Sequence, residues 1–360
     1  MVKPKKITFL TLVVLIPLIS IAAAENPIVS INLVPTLTYN SYSDSWNSVF
    51  NSDLSISLSS KREGNVRGEV VLEANTLKPI TKLDDVLQKA YFKAKFPSFR
   101  LTAGKTRLSW GDGVLFNAAD VLYGSNDTSV SLTQTELRSS NSYLASINYP
   151  LGFFSFAELV LMASESNNPL DTSIGARFYT LVKNVKLEGG YATHKREEVD
   201  QRIHKPYVSF QGNLFVDWYF STSIDLPATK ESWVISGGLF HLVELPLGRS
   251  ITLRLEFLSR PLGSWKWGAV SDDSATLLLF PDLVFVYSPA LSFTLRSIIS
   301  PLDFSTLNTI GVNWNLFDAF NLVGSISVAT GNDRDLFAWS SSNPLSPPSL
   351  SLTIGSSWIF

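Results

Sequence analysis

The chain has 360 residues, no cysteine, 45% hydrophobic, 12% aromatic and 17% charged residues, and a formal net charge of −2. Soluble domains carry about 25% charged residues, and the shortfall beside so many aromatics argues against a disordered chain and against a basic nucleic-acid binder. Without cysteine, thiolate catalysis, disulfide frameworks and Cys-based zinc sites are excluded.

The first segment is a secretion signal. Lys3, Lys5 and Lys6 precede an almost wholly apolar run, Ile7 to Ile21, which ends on Ala22-Ala23-Ala24. A basic start, a short apolar stretch and small residues before a cleavage point are the three parts of a signal peptide. A spanning helix needs about 20 apolar residues, so the run is too short to anchor the chain. The expected organisation is a signal peptide over 1–24 and one mature domain over 25–360, with Glu25 as its first residue. Removing the three lysines leaves 26 basic against 31 acidic groups, a net charge of −5.

From there apolar and polar residues alternate. Val29, Ile31, Leu33, Pro35, Leu37 and Tyr39 interleave with Ser30, Asn32, Val34, Thr36, Thr38 and Asn40, and Ala90, Phe92, Ala94 and Phe96 with Lys89, Tyr91, Lys93 and Lys95. Successive strand side chains point to opposite faces, so each segment has one apolar and one polar face. Strands are predicted over 28–41, 48–60, 65–77, 87–97, 99–109, 136–149, 153–163, 172–182, 185–197, 204–213, 215–226, 231–244, 250–260, 276–288, 290–300, 305–316, 320–331 and 349–360. Several exceed the ~5–6 residues usual in globular sheets.

Tight turns at Pro97-Ser98, Pro150-Leu151-Gly152, Lys183-Asn184, Pro246-Leu247-Gly248 and Phe317-Asp318-Ala319 then alternate with longer connections at 110–135, 164–171, 261–275 and 332–348. Short turns at one end and long loops at the other are the asymmetry of a transmembrane barrel with both termini periplasmic. The predicted fold is all-β: an antiparallel up-and-down barrel of about eighteen strands. Sixteen remains open because 153–163 and 276–288 alternate poorly. An unpaired backbone group in hydrocarbon costs several kcal/mol, so the last strand must close on the first.

Lipid disfavours charge, so Arg67, Glu69, Glu73, Arg177, Lys186, Glu188, Asp217, Asp225, Arg254, Glu256 and Arg296 are assigned inward, with Lys93 and Lys95. A continuous register would add Lys105 and Arg107. The connection 110–135 carries Asp112, Asp120 and Asp127 and has two readings. It folds into the lumen, setting its carboxylates against those cations in a transverse field, or it is a solvated outer loop. Trp46, Trp110, Trp233, Trp265, Trp267, Trp339 and Trp358 fall near strand ends and suit aromatic girdles; Trp265-Lys266-Trp267 could instead stack on a sugar. His194 and His204 flank one outer connection and, with Asp200, form a weak metal candidate. His241, with Ser236 and Glu244 nearby in sequence, is an equally weak triad candidate.

The chain ends Leu350-Ser351-Leu352-Thr353-Ile354-Gly355-Ser356-Ser357-Trp358-Ile359-Phe360. With Thr353, Gly355, Trp358 and Phe360 it resembles the bacterial outer-membrane β-barrel (porin-like) superfamily, whose terminal strand is read by the barrel-assembly machinery. The resemblance implies that machinery and outer-membrane lipids as partners. Arg100 to Gly113, with its Trp110-Gly111, followed by Asn117 and Asp120, is similar to the strand-and-loop signature of porin-like, alginate-export-type barrels, although Ala118 and Val121 stand where those barrels often have Pro.

On this reading the chain is a passive channel for small polar solutes, needing no cofactor and no nucleic acid. About eighteen strands leave a water-filled interior. A surface-exposed ligand-binding or adhesin-type barrel working through its outer loops is the alternative. A barrel-borne hydrolase is a third and thinner one. Monomer and trimer stay open.

Overall fold

The computed structural model describes residues 27–41, 44–60, 64–76, 79–123, 141–164, 171–196, 201–226, 232–261, 276–332, 335–337 and 348–360. The expected signal segment, Asp127, Asp200, Trp265, Trp267 and Trp339 lie outside them. Eighteen strands follow one another: β1 (Ile28–Asn40), β2 (Ser45–Ser59), β3 (Val66–Asn75), β4 (Leu87–Lys95), β5 (Arg100–Thr106), β6 (Ser142–Gly152), β7 (Ser155–Met162), β8 (Ser173–Val182) and β9 (Val185–Arg196). Then come β10 (Gln201–Asn213), β11 (Asp217–Asp225), β12 (Ser232–Leu245), β13 (Arg249–Arg260), β14 (Thr276–Ser288), β15 (Leu291–Ser300), β16 (Ser305–Phe317), β17 (Phe320–Thr330) and β18 (Leu350–Ile359).

Each strand pairs antiparallel with its sequence neighbours, and β18 returns to β1 with Ser30 opposite Ile359 and Tyr39 opposite Leu350. Val29 N–H donates to Phe360 O at 3.1 Å, and Phe360 N–H to Val29 O at 2.8 Å. The sheet is therefore a closed up-and-down barrel. Closure leaves no strand edge with unpaired N–H and C=O groups.

Register carries one face of each strand round the barrel without interruption. Arg67 lies across from Lys93, Lys93 from Thr102, Thr102 from Ser146 and Ser146 from Val160. This is the inner face, and it holds every charge that alternation assigned inward except Lys105. The outer face is an apolar band including Phe50, Ile147, Leu159, Leu253, Leu295, Ile310 and Ile354, all exposed. A soluble barrel would be the reverse, since exposed apolar surface costs about 25 cal/mol per Å² in water.

The strands near 153–163 and 276–288, which left sixteen open, are both present as β7 and β14. They alternate poorly because both faces are apolar. Inner Val160 packs beneath Trp110, and inner Leu278 and Phe280 pack beneath Leu115 and Phe116. β6 is described from Ser142, with 136–140 of the expected strand outside the described residues, and it turns at Phe153-Phe154 rather than at Pro150-Leu151-Gly152. Its ladder shifts register between Pro150 and Gly152, which accommodates a proline without a backbone donor.

One end of the barrel carries both chain ends of the described domain and tight turns such as Lys183-Asn184, Pro289-Ala290 and Asp318-Ala319. The other carries the long connections, among them 107–141, 261–275 and 331–349.

Candidate functional site: an inserted loop and the lumen beside it

After β5 the chain turns into the barrel. Trp110-Gly111-Asp112-Gly113 makes the reversal, and its glycines are required. Gly111 has φ +66°, and a Cβ there would sit 2.3 Å from Ala119 Cβ; at Gly113, φ +133°, it would sit 2.2 Å from Phe116 O. Residues with a Cβ rarely adopt such angles. The two arms are then stapled. Arg107 pairs with Asp120 at 2.5 Å, Asn117 Nδ2 donates to Trp110 O at 2.8 Å, and Tyr123 Oη donates to Thr106 O at 3.1 Å. The Trp-Gly…Asn…Asp pattern of the sequence is thus a loop-closing device.

Buried carboxylates on the wall hold the loop. Glu256 of β13, 1% exposed, accepts the N–H groups of Val114, Leu115 and Phe116 at 2.8, 2.9 and 2.9 Å. Glu188 of β9 accepts from Gly111 N–H at 2.8 Å and from Tyr207 Oη at 2.7 Å. Glu158 of β7 accepts from Trp110 Nε1 at 3.1 Å. Arg177 of β8 lies between the last two, 2.7 Å from Glu158 and 3.2 Å from Glu188, with its guanidinium 5.5 Å from the Trp110 ring. A buried carboxylate is tolerated only with such a full set of partners. Ser236 Oγ accepts from Ala118 N–H, and Tyr219 Oη donates to Phe116 O, both at 2.8 Å.

Apolar packing completes the insertion. Trp110, Val121 and Leu122 pack on Leu144, Val160, Ala192 and Tyr207. Leu115, Phe116 and Ala118 join Val234, Leu258, Leu278, Phe280 and Ile298. Leu336 and Phe337 from the β17–β18 connection reach the same cluster. Their backbone is fixed by Leu336 N–H to Asp303 Oδ2 at 2.7 Å and Phe337 N–H to Ser305 Oγ at 3.2 Å. Burial alone would raise the Asp303 carboxyl, but donors from Leu336, Ser300 and Ser305 outweigh it and hold it below its ordinary value. The part played by Leu336 and Phe337 has no signal in strand periodicity; only the length of 332–348 pointed there.

Loop and wall together fill the sector from β6 to β15. The described loops touch β16 and β5 only at their long-loop ends, through Ser305, Leu307 and Thr106, and leave the inner wall of β17, β18 and β1–β4 uncovered. This side of the lumen is lined by small polar groups, including Thr309 bonded to Ser327 (2.8 Å) and Thr36 bonded to Thr353 (3.2 Å). On it, near the short-turn end, stand four exposed cations. Arg67 is directly across from Lys93, and Lys95 directly across from Arg100. Among the described residues none of the four has an ion-pair partner; Lys93 Nζ lies 5.1 Å from the Tyr91 ring centroid. Like charges opposed across a ladder are unfavourable in themselves.

The expected site residues therefore separate. Lys93 and Lys95 stand on the inner wall. Lys105 does not: it pairs across from Ala90 and Tyr143 on the outer face, 3.4 Å from Asp84 at the long-loop rim, because strand pairing between β4 and β5 sets the opposite parity. Arg107 faces inward but is spent on Asp120 within the loop. Asp112 pairs with Lys186 of β9 at 2.8 Å. Asp112 and Asp120 consequently do not oppose Lys93 and Lys95 and do not form the transverse field drawn from the sequence, while Asp127 lies outside the described residues. Trp110 is no girdle residue but a wholly buried loop anchor.

His194 and His204 occupy opposite faces of the β9–β10 ladder, as do His241 and the pair Ser236 and Glu244 on β12, because even and odd positions diverge. Neither constellation assembles. In the terminal motif, Thr353 and Gly355 face inward at the β1 seam, Trp358 packs 5.7 Å from Phe320, and Phe360 closes on Val29.

No family model matches the chain, and no curated protein matches it in sequence. Solved structures do. OccAB3 of Acinetobacter baumannii superposes with a TM-score of 0.58 at 10% identity, over 94% of this chain and 99% of that one. OpdQ of Pseudomonas aeruginosa gives 0.58 at 7% identity, over 94% and 97%. The outer membrane protein OpdK of the same organism, in complex with vanillate, gives 0.57 at 8% identity, over 93% and 99%. The chain thus shares the closed eighteen-stranded fold of these outer-membrane porin barrels.

Proposed function

We propose that this chain is an outer-membrane channel for passive diffusion of small polar solutes, with a preference for anions. The observation that carries this reading is the quartet Arg67, Lys93, Lys95 and Arg100, unpaired among the described residues, on the exposed inner wall beside a lumen narrowed by an inserted loop. A barrel that is apolar outside and polar inside suits a bilayer with a wet interior. Four cations that pair with no described residue make a positive surface that concentrates anions and repels cations. The inserted loop narrows the passage from one side only.

The neighbouring OpdK is solved with vanillate, a small aromatic carboxylate, which makes such acids the first solutes to test. In this proposal residues 1–24 export the chain and are removed. The short-turn end with both termini faces the periplasm, and Thr353, Gly355, Trp358 and Phe360 present the terminal strand to the barrel-assembly machinery.

Planar bilayers provide the test. The mature protein gives stepwise conductance, and under a KCl gradient its reversal potential has the sign of anion selectivity. Replacing Lys93 and Lys95 by Gln moves that potential toward the cation side, more at low salt because a Debye length of about 10 Å at 0.1 M already screens the patch. Absence of conductance at any voltage defeats the channel reading. An unchanged reversal potential in the double variant defeats the anion preference.

A further inference from the structure

Turns at the short-turn end bear side chains that water would reject. Phe153 and Phe154 between β6 and β7 are 103% and 66% exposed, Leu214 and Phe215 between β10 and β11 are 78% and 96% exposed, and Leu247 between β12 and β13 is 85% exposed. All three turns belong to one sector. Tips elsewhere on this rim are Pro97-Ser98, Pro289-Ala290 and Asp318-Ala319, with an exposed aromatic, Phe317, beside the last of them. Each large apolar side chain left in water forgoes the gain of burial.

Three features identify what covers them. These tips continue the apolar outer band past the strand ends, since Leu151, Phe178, Val182 and Phe210 lie on the outer face of the strands above them, all exposed. Cations are interspersed: Lys183 in the β8–β9 turn and Arg249 at the foot of β13, its guanidinium 4.4 Å from the Tyr287 ring. Apolar groups mixed with Lys and Arg form the composition of a surface at a headgroup boundary. Finally, β7 in this sector has only 8 residues. A tilted strand needs about 9–11 to cross the hydrocarbon, so this strand reaches the far boundary only with its turn included.

We infer that this rim is immersed in the periplasmic leaflet: Phe153, Phe154, Leu214, Phe215 and Leu247 sit among phospholipid acyl chains, and Lys183 and Arg249 reach the phosphates. The inference rests on the outer-membrane reading above and adds an asymmetric seating, deeper on the β6–β13 side.

The lack of native cysteine allows single nitroxide labels. Full-length Phe153→Cys, Phe215→Cys, Asp318→Cys and Leu253→Cys barrels are labelled and reconstituted in vesicles of phosphatidylethanolamine and phosphatidylglycerol. Collision rates with O2, which concentrates in hydrocarbon, and with a water-soluble Ni(II) chelate are compared. The O2-to-Ni ratio at 153 and 215 is expected severalfold above that at 318 and close to that at 253. Ratios at 153 and 215 equal to that at 318, with 253 in lipid, overturn the inference. Dipolar broadening at 153 that vanishes on dilution with unlabelled protein also overturns it, in favour of a second copy. A watery ratio at 253 overturns the membrane reading itself.

Discussion

Replacing Glu256 by Gln tests whether the inserted loop is latched by charge. One carboxylate takes three successive backbone donors, from Val114, Leu115 and Phe116. A hydrogen bond to a charged group contributes about 1.5–3 kcal/mol net. Gln offers one carbonyl oxygen and puts an NH2 where the second carboxylate oxygen accepted Leu115 and Phe116, so two bonds are lost and donors confront a donor. Against this, the variant no longer buries a charge whose nearest cation, Arg254 Nε, is 3.9 Å away. Crediting the loss at about one full charged bond, 2–3 kcal/mol, lowers the ratio of docked to undocked loop by roughly 30- to 150-fold, at 1.4 kcal/mol per factor of ten.

Leu115 and Phe116 still pack on Phe280 and Leu278, so the loop loosens without leaving for good. Single-channel records of Glu256→Gln should show brief excursions to a larger conductance, more frequent by that factor than in the parent. Glu244→Gln, on the inner face of the neighbouring β12 but away from the loop, should behave as the parent. If Glu256→Gln matches the parent in conductance and open-channel noise, the carboxylate does not hold the loop and the reasoning fails.

Gly111→Ala should give the same excursions by another route, since φ +66° and a 2.3 Å approach to Ala119 cost an L-residue about 1–2 kcal/mol or more; parent-like records would show the turn can relax. Arg177→Met strands Glu158 and Glu188 as buried charges, and about 3–5 kcal/mol should be lost, read as a lower urea midpoint; an unshifted midpoint counts against the network. Asp303 has a lowered carboxyl, so its hold on Leu336 is complete above its ordinary value of 3.8 and is lost as pH falls through the depressed one. Amide protection at Leu336 should accordingly persist at pH 5, fall at lower pH, and be reduced at every pH in Asp303→Asn. Deleting Phe360 removes both backbone bonds to Val29 and should slow barrel assembly, measured as the rate of gain of heat-modifiable mobility on gels.

Strand number, closure and rim asymmetry were legible in the sequence because they follow from a period of two and from connection lengths. The inward charges on β3, β8, β9, β11, β13 and β15 were legible for the same reason. Lys105 was not, because parity propagates within a strand, whereas the step from β4 to β5 depends on how many residues the Pro97-Ser98 turn consumes. Trp110 looked like a girdle residue because strand ends and loop entries carry the same signals. Glu256 could be placed inward, but its role depends on Val114 to Phe116, residues 140 to 142 positions away.

The division of the lumen follows from which inner positions are apolar. On the β12–β15 wall the inner face presents Val234, Leu258, Leu278, Phe280 and Ile298, and an aqueous interior would leave that surface unsatisfied. Leu115, Phe116, Leu336 and Phe337 cover it, so the insertion has a driving force of its own, and the carboxylates set its height and register. The β17–β18 and β1–β4 wall offers Thr, Ser and Asn together with Asp53, Glu69 and Glu73, which water satisfies, and among the described residues no apolar cluster for a loop to seat on. A passage confined to that side leads solutes past Lys93 and Lys95. Filling the opposite side removes volume without neutralising those charges, because Asp112 and Asp120 already have their own cations. Selectivity and bore are therefore set by separate residues. Changing Lys93 should shift ion preference at constant conductance state, and changing Glu256 should shift the conductance state at constant preference.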